Sequence, residues 1–186
     1  GSMDSGLPPY MTTVAHLPVN VIGVVFFVNT FTIAVGQVWV LHRIEGRSRT
    51  RMLTVVAALW ATFWVIVAGA AGFTPIVAGI GIGLGFAVFA LGEMVLSPIG
   101  PSLINVFAPP ALRGRYNAVG GLVWGVGQAF GPALAGLLIG TGFGVLWALV
   151  LAAGCILGGA LLNGLRPLLT PEEDGRGLPN APEVRG

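Results

Sequence analysis

Lysine is absent from this chain of 186 residues, and charged residues of any kind make up only 9% of it. A soluble domain carries about 25%. With 55% hydrophobic residues and a mean hydropathy of +0.89, polar groups are too scarce to cover a water-soluble fold of this size. The nine basic residues are all arginine. They form no basic stripe with interleaved aromatics, so no nucleic-acid partner is expected. Cysteine is nearly absent too. Cys155 alone excludes an internal disulfide. It shares no ligand spacing with His16 or His42, so neither a metal nor another cofactor is expected. The start lacks the basic region and cleavage site of a signal peptide. Enzyme chemistry has no visible support: there is no Ser/His/Asp constellation, no phosphate loop and no paired carboxylates within one span. The chain reads as a non-enzyme.

What is present is a set of five long apolar runs, at about 17–41, 52–71, 75–107, 117–140 and 143–165. About 20 such residues span the hydrocarbon core as a helix. The fold class is therefore an all-α integral membrane bundle over 17–168. Residues 1–3 resemble a cloning scar, 4–16 an extracellular segment, and 169–186 a disordered cytoplasmic tail rich in Gly and Pro. Arg43, Arg47, Arg49 and Arg51 lie between the first two runs, Arg113 and Arg115 between the third and fourth, and Arg166, Arg176 and Arg185 after the fifth. The opposite loops carry none. By the positive-inside rule the N-terminus is outside and the C-terminus cytoplasmic, in a multi-pass protein of the cell (inner) membrane. An odd count with that orientation suggests a chain lacking its front. "LPPYM", 7–11, reads like the outer end of a helix whose body is absent.

The fourth run contains "GVGQAFGPALAG", 125–136. Glycine and proline are poor helix formers in water. In lipid, however, small residues let helices approach, and a proline kinks them. Gly127 and Gly131 share one face, so this run should pack closely on a neighbour and bend at Pro132.

That stretch resembles the antiporter motif of the major facilitator superfamily, a GxxxGPxxGG pattern on the fifth of twelve helices. The eleventh helix is its structural repeat. Gly127, Gly131, Pro132 and Gly136 match, with Ala135 in place of the first glycine of the final pair. "LHRIEGRSRTRML", 41–53, resembles the C-half copy of the family's basic loop motif, with Gly46 and Arg47 in register. Arg43 stands where that motif has an aspartate. "FAPPALRGRYNAVGGLVWG", 107–125, which carries Arg113 and Arg115, is similar to the loop before the eleventh helix in drug-efflux members. "VNTFTIAVGQ", 28–37, resembles their eighth helix. The resemblance maps the chain to helices eight to twelve plus the tip of the seventh, most of a C-terminal half-bundle.

It implies a secondary transporter, proton-coupled and exporting small or drug-like molecules, and inactive as the isolated chain. Its partners would be the bilayer, a small-molecule substrate, and the missing N-terminal half or a second protomer. Two other readings stay open: a non-transporting scaffold that binds a partner, and a small permease acting as a dimer. Glu93, in "ALGEMVLSP", is the candidate for proton coupling, since an ionisable group in a span costs at least about 2.5 kcal/mol. Pro98 and Pro101 should bend the span beyond it. Asn29, Gln37, Gln128 and Trp124 are candidates for the substrate cavity, with interhelical bonding the rival role for the amides. The remaining tryptophans, Trp39, Trp60, Trp64 and Trp147, could line a pocket for a flat apolar compound, but placement facing lipid or its interface is commoner.

Overall fold

The computed structural model describes residues 2–176. Six α-helices follow one another: α1 (Ser2–Thr13), α2 (Val19–Ile44), α3 (Arg49–Ala70), α4 (Pro75–Phe107), α5 (Arg113–Gly140) and α6 (Gly144–Leu165). Short 3₁₀ turns, Pro110–Leu112 and Arg166–Leu168, precede α5 and follow α6. No strand occurs among the described residues. Helices satisfy every backbone group within one segment, which lipid demands. Five of them, α2 to α6, are long and apolar enough to cross a membrane. Their ends sit where the local chemistry stops or starts them. Gly46 takes φ +69° just after α2, a conformation that favours glycine. Ser48 caps α3 by accepting from the Arg51 amide. Pro75 opens α4, where its missing N–H costs nothing. Gly142, at φ +85°, turns the chain from α5 into α6.

α3 is the centre of the bundle, packed on α4 and α6; α4 in turn holds α2, and α1 lies mainly on α5. Aromatic rings fill the middle. Phe63 of α3 meets Phe86 and Phe89 of α4 at 5.2 and 5.0 Å between centroids. Trp64 meets Trp147 of α6 edge-on at 5.0 Å. Both tryptophans are buried, against the expectation that they face lipid. A Trp side chain is large enough to bridge two helices, and these two bridge α3 to α6.

The sequence places 4–16 outside the spans, reads 7–11 as the outer end of a helix and leaves 1–3 outside the fold; Ser2–Thr13 form α1, so the helix reaches back into 2–6. Leu7, Tyr10 and Met11 recur at helical spacing and are fully buried. Met3 packs at the edge of the same cluster. The Tyr10 hydroxyl donates to the Val67 carbonyl at 2.7 Å, tying α1 to α3. A Cβ on Gly6 would come 2.5 Å from the Trp147 ring and 2.7 Å from Ala135 Cβ. Glycine is therefore what lets α1 reach α5 and α6.

The tail also departs from expectation at its start. Residues 170–176 form turns against the α2–α3 connection, and Asp174 is fully buried. Its carboxylate accepts from Ser48 Oγ at 2.6 Å, the Thr50 amide at 2.9 Å and Thr50 Oγ1 at 2.7 Å. Its carbonyl accepts from the Arg49 amide at 2.7 Å. The tail thus satisfies two of the amides that every helix N-terminus leaves open. The rest of the predicted disorder, 177–186 with Arg185, lies outside the described residues.

Candidate functional site

Glu93 lies on α4 at its contact with α2. It is the nineteenth of 33 residues of α4, and Asn29 is the eleventh of 26 in α2. At 1.5 Å per residue both fall well inside their spans. The two helices approach closely because Gly36 of α2 presents no side chain to Met94: a Cβ there would be 3.0 Å from the sulfur. A second tie follows from proline chemistry. Pro98 lacks the amide that would bond the Met94 carbonyl one turn back. The Gln37 amide of α2 donates to that carbonyl instead, at 3.4 Å. So Gln37 is an interhelical bond compensating for Pro98. α4 runs on through both Pro98 and Pro101.

With the helices so placed, Asn29 Nδ2 donates to Glu93 Oε2 at 2.9 Å. Both residues are half-buried. Asn29 Oδ1 is buried without a hydrogen-bond partner. An amide beside a carboxyl suits both of its protonation states. The Nδ2–H serves the carboxylate, and Oδ1 serves the acid O–H after a flip of the amide. Sequence reasoning missed a further group. Asp4 of α1 lies within electrostatic range of Glu93. It sits nine residues before the end of α1 at Thr13, about 14 Å along the helix. Reading 4–16 as an external segment hid it. The signal was Leu7, Tyr10 and Met11 at helical spacing beside an acidic residue.

The other candidates lie apart. Gln128 and Trp124 are exposed on α5. On the same helix Gly127, Pro132 and Gly136 are exposed, and Gly127 and Gly136 have nothing within 4 Å of an added Cβ. Gly131 is buried together with Ala135. Within this chain the covered part of that stripe is Gly131 and Ala135, while Gly127 and Gly136 stay open. The two pairs lie on one stripe and differ by one turn along the helix axis, and α1 meets the later one by seating Gly6 against Ala135. Arg113 and Arg115 are exposed at the start of α5. Gly46 turns the α2–α3 connection, and Arg47 beside it is exposed. The Arg43 guanidinium sits 4.9 Å above the Trp39 ring centroid, a cation–π contact rather than a link to an acid. Among the described residues no three of His, Cys, Asp and Glu come together as a metal set.

Comparison with known proteins supplies the context for this geometry. The chain is 35% identical over 101 residues to an uncharacterized MFS-type transporter, YhjO, of Bacillus subtilis (strain 168); the match covers 54% of this chain and 24% of that protein. The matched stretch thus spans about a quarter of the relative's length. No solved structure matches it. The profile of the Major Facilitator Superfamily matches residues 2–184, almost the whole chain. An apolar helical bundle with five candidate spans, matched end to end by that profile, belongs to the Major Facilitator Superfamily of transporters.

Proposed function

We propose that this chain forms most of the C-terminal half of a proton-coupled exporter of small or drug-like molecules, and that Glu93 carries the coupling proton. The observation that carries this reading is the Asn29–Glu93 contact across α2 and α4. A carboxyl inside a span is costly and marks an ion or substrate path by default. Asn29 offers it a donor when ionised and an acceptor when protonated.

The half-bundle reading has independent support in burial. α2 and the α5 region are the least covered spans, with 6% and 17% of their apolar windows buried. The open glycines of α5 lie on such a face. In transporters built from two halves, substrate sites lie between the halves near the midplane. A face of small residues suits contact with a second bundle. The isolated chain, with one side of that cavity, does not transport. No bond-making chemistry is assigned to it.

The test is Glu93→Gln in the full-length transporter containing this chain. Glutamine keeps the shape and a hydrogen bond to Asn29 but holds no titrating proton. Substrate binding should survive while proton-driven efflux is lost. Wild-type efflux at normal expression would remove Glu93 from the coupling mechanism. Proton-linked uptake by liposomes holding this chain alone would overturn the half-bundle reading.

A further inference from the structure

At the arginine-bearing end of the bundle a pocket of about 500 Å³ opens between the start of α3, the end of α6 and the turn at 170–176. Four arginines line it: Arg47, Arg51, Arg166 and Arg176. Met52 and Val55 line its apolar side, and among the described residues no acidic side chain lines it. Among the described residues, Arg47, Arg51 and Arg166 have no acidic partner within 4 Å. Arg176 Nε faces Asp174 Oδ2 at 2.8 Å, which anchors that side chain and leaves its other N–H groups for a second acceptor. Arg51 lies in the first turn of α3, and no acidic residue occupies that turn. Helix N-termini carry partial positive charge and disfavour cations. Among the described residues Asp174 balances one of these four charges, and no ion pair balances the other three.

Depth narrows what can balance them. Val55, one turn after Arg51, is an exposed apolar side chain, as are Leu165 and Leu168 on either side of Arg166. These would meet acyl chains, and the arginines sit at the boundary just beyond them. We propose that this pocket binds the phosphate of an anionic phospholipid. Guanidinium forks pair with phosphate oxygens through two parallel bonds. Basic pockets between helices at the membrane boundary suit such headgroups. Met52 and Val55 would carry the first carbons of the acyl chains.

The experiment measures lipid retained by the full chain after delipidation and incubation with mixed micelles. Phosphatidylglycerol should be retained over phosphatidylcholine. The pair Arg51→Gln with Arg166→Gln should weaken that retention by roughly fivefold per arginine, about 25-fold in all. The pair Arg113→Gln with Arg115→Gln removes equal charge from the other arginine loop and should leave it unchanged. Equal loss in both pairs would mean diffuse surface attraction and overturn the site. So would equal retention of the two lipids by the unaltered chain. Inorganic phosphate and glycerol phosphate form the second arm. If either competes out phosphatidylglycerol at equal phosphate concentration, the pocket serves a soluble anion and the lipid assignment fails. Should the glutamine pair not fold, Arg51→Lys with Arg166→Lys decides. It keeps the charge and loses the planar fork, so retention should fall several-fold; unchanged retention would refute the site.

Discussion

Removing the Asp174 carboxylate should loosen the whole end of α3. Asp174 is fully buried and accepts three hydrogen bonds from Ser48 and Thr50. Each donor left unpaired in a buried place costs about 1–3 kcal/mol. The sum is a ceiling, because the 170–176 turn can lift away and let water reach Ser48 and Thr50. We therefore expect Asp174→Ala to destabilise by about 2–3 kcal/mol, and Asp174→Asn by about half of that, since it keeps the shape and one acceptor. For a chain of this size that is roughly 2–4 °C in Tm per kcal/mol. Arg176→Gln removes an ion pair whose arginine side chain is 41% exposed, worth at most about 1 kcal/mol. Acid should mimic the Asn variant. Burial pushes the Asp174 carboxyl up, but hydrogen bonds from Ser48 and Thr50 and the charge of Arg176 together hold it below its ordinary value. The contribution is then complete above the ordinary carboxylate pKa, near 4, and is lost as pH falls through the lower folded value. The assays are melting in detergent between pH 7 and 2.5, and amide exchange at Arg49 and Thr50, whose N–H groups bond to Asp174. Unchanged exchange at those two amides in Asp174→Asn, with an unchanged Tm, would refute the docked tail.

Two further substitutions probe the helix contacts. Gly6→Ala places a Cβ against Trp147 and Ala135 and should cost about 1–3 kcal/mol by overpacking, whereas Gly127→Ala meets open space and should be neutral or slightly stabilising; detergent melting of both separates them, and the reverse order would mean that α5 is shifted along its axis. Gln37→Leu should destabilise by about 1 kcal/mol by leaving the Met94 carbonyl unpaired. In the Pro98→Ala background, which restores the backbone amide, that cost should vanish; additive losses in the double-mutant cycle would show that Gln37 and Pro98 are not coupled.

Which residues enter the membrane was legible from the chain alone, because span length and hydropathy are local properties. Scarce charge and five apolar runs mark α2 to α6, and the glycine and arginine motifs mark the family. Glu93 stood out for the same reason: one carboxyl in an apolar run is conspicuous without any knowledge of its neighbours. Which face of each helix meets another was not legible. In a span that is apolar all round, no polar stripe marks the outer side, so rotation about the axis is set only by what packs there. Nor was the level of a contact along the axis: Gly127 and Gly131 look equivalent in sequence, yet α1 selects Gly131 and Ala135. Trp64 and Trp147 are indistinguishable in sequence from the exposed Trp39 and Trp124, and only the meeting of α3 with α6 buries them. Pairings across long separations were equally hidden. Asn29 and Glu93 are 64 residues apart, and Ser48 and Asp174 are 126 apart. Neither spacing carries a periodic signal. Asp174 sits in a polar, Gly- and Pro-rich tail whose composition reads as disorder. Three donors at the start of α3 give that one carboxylate a place to dock, and only the fold brings those donors within reach.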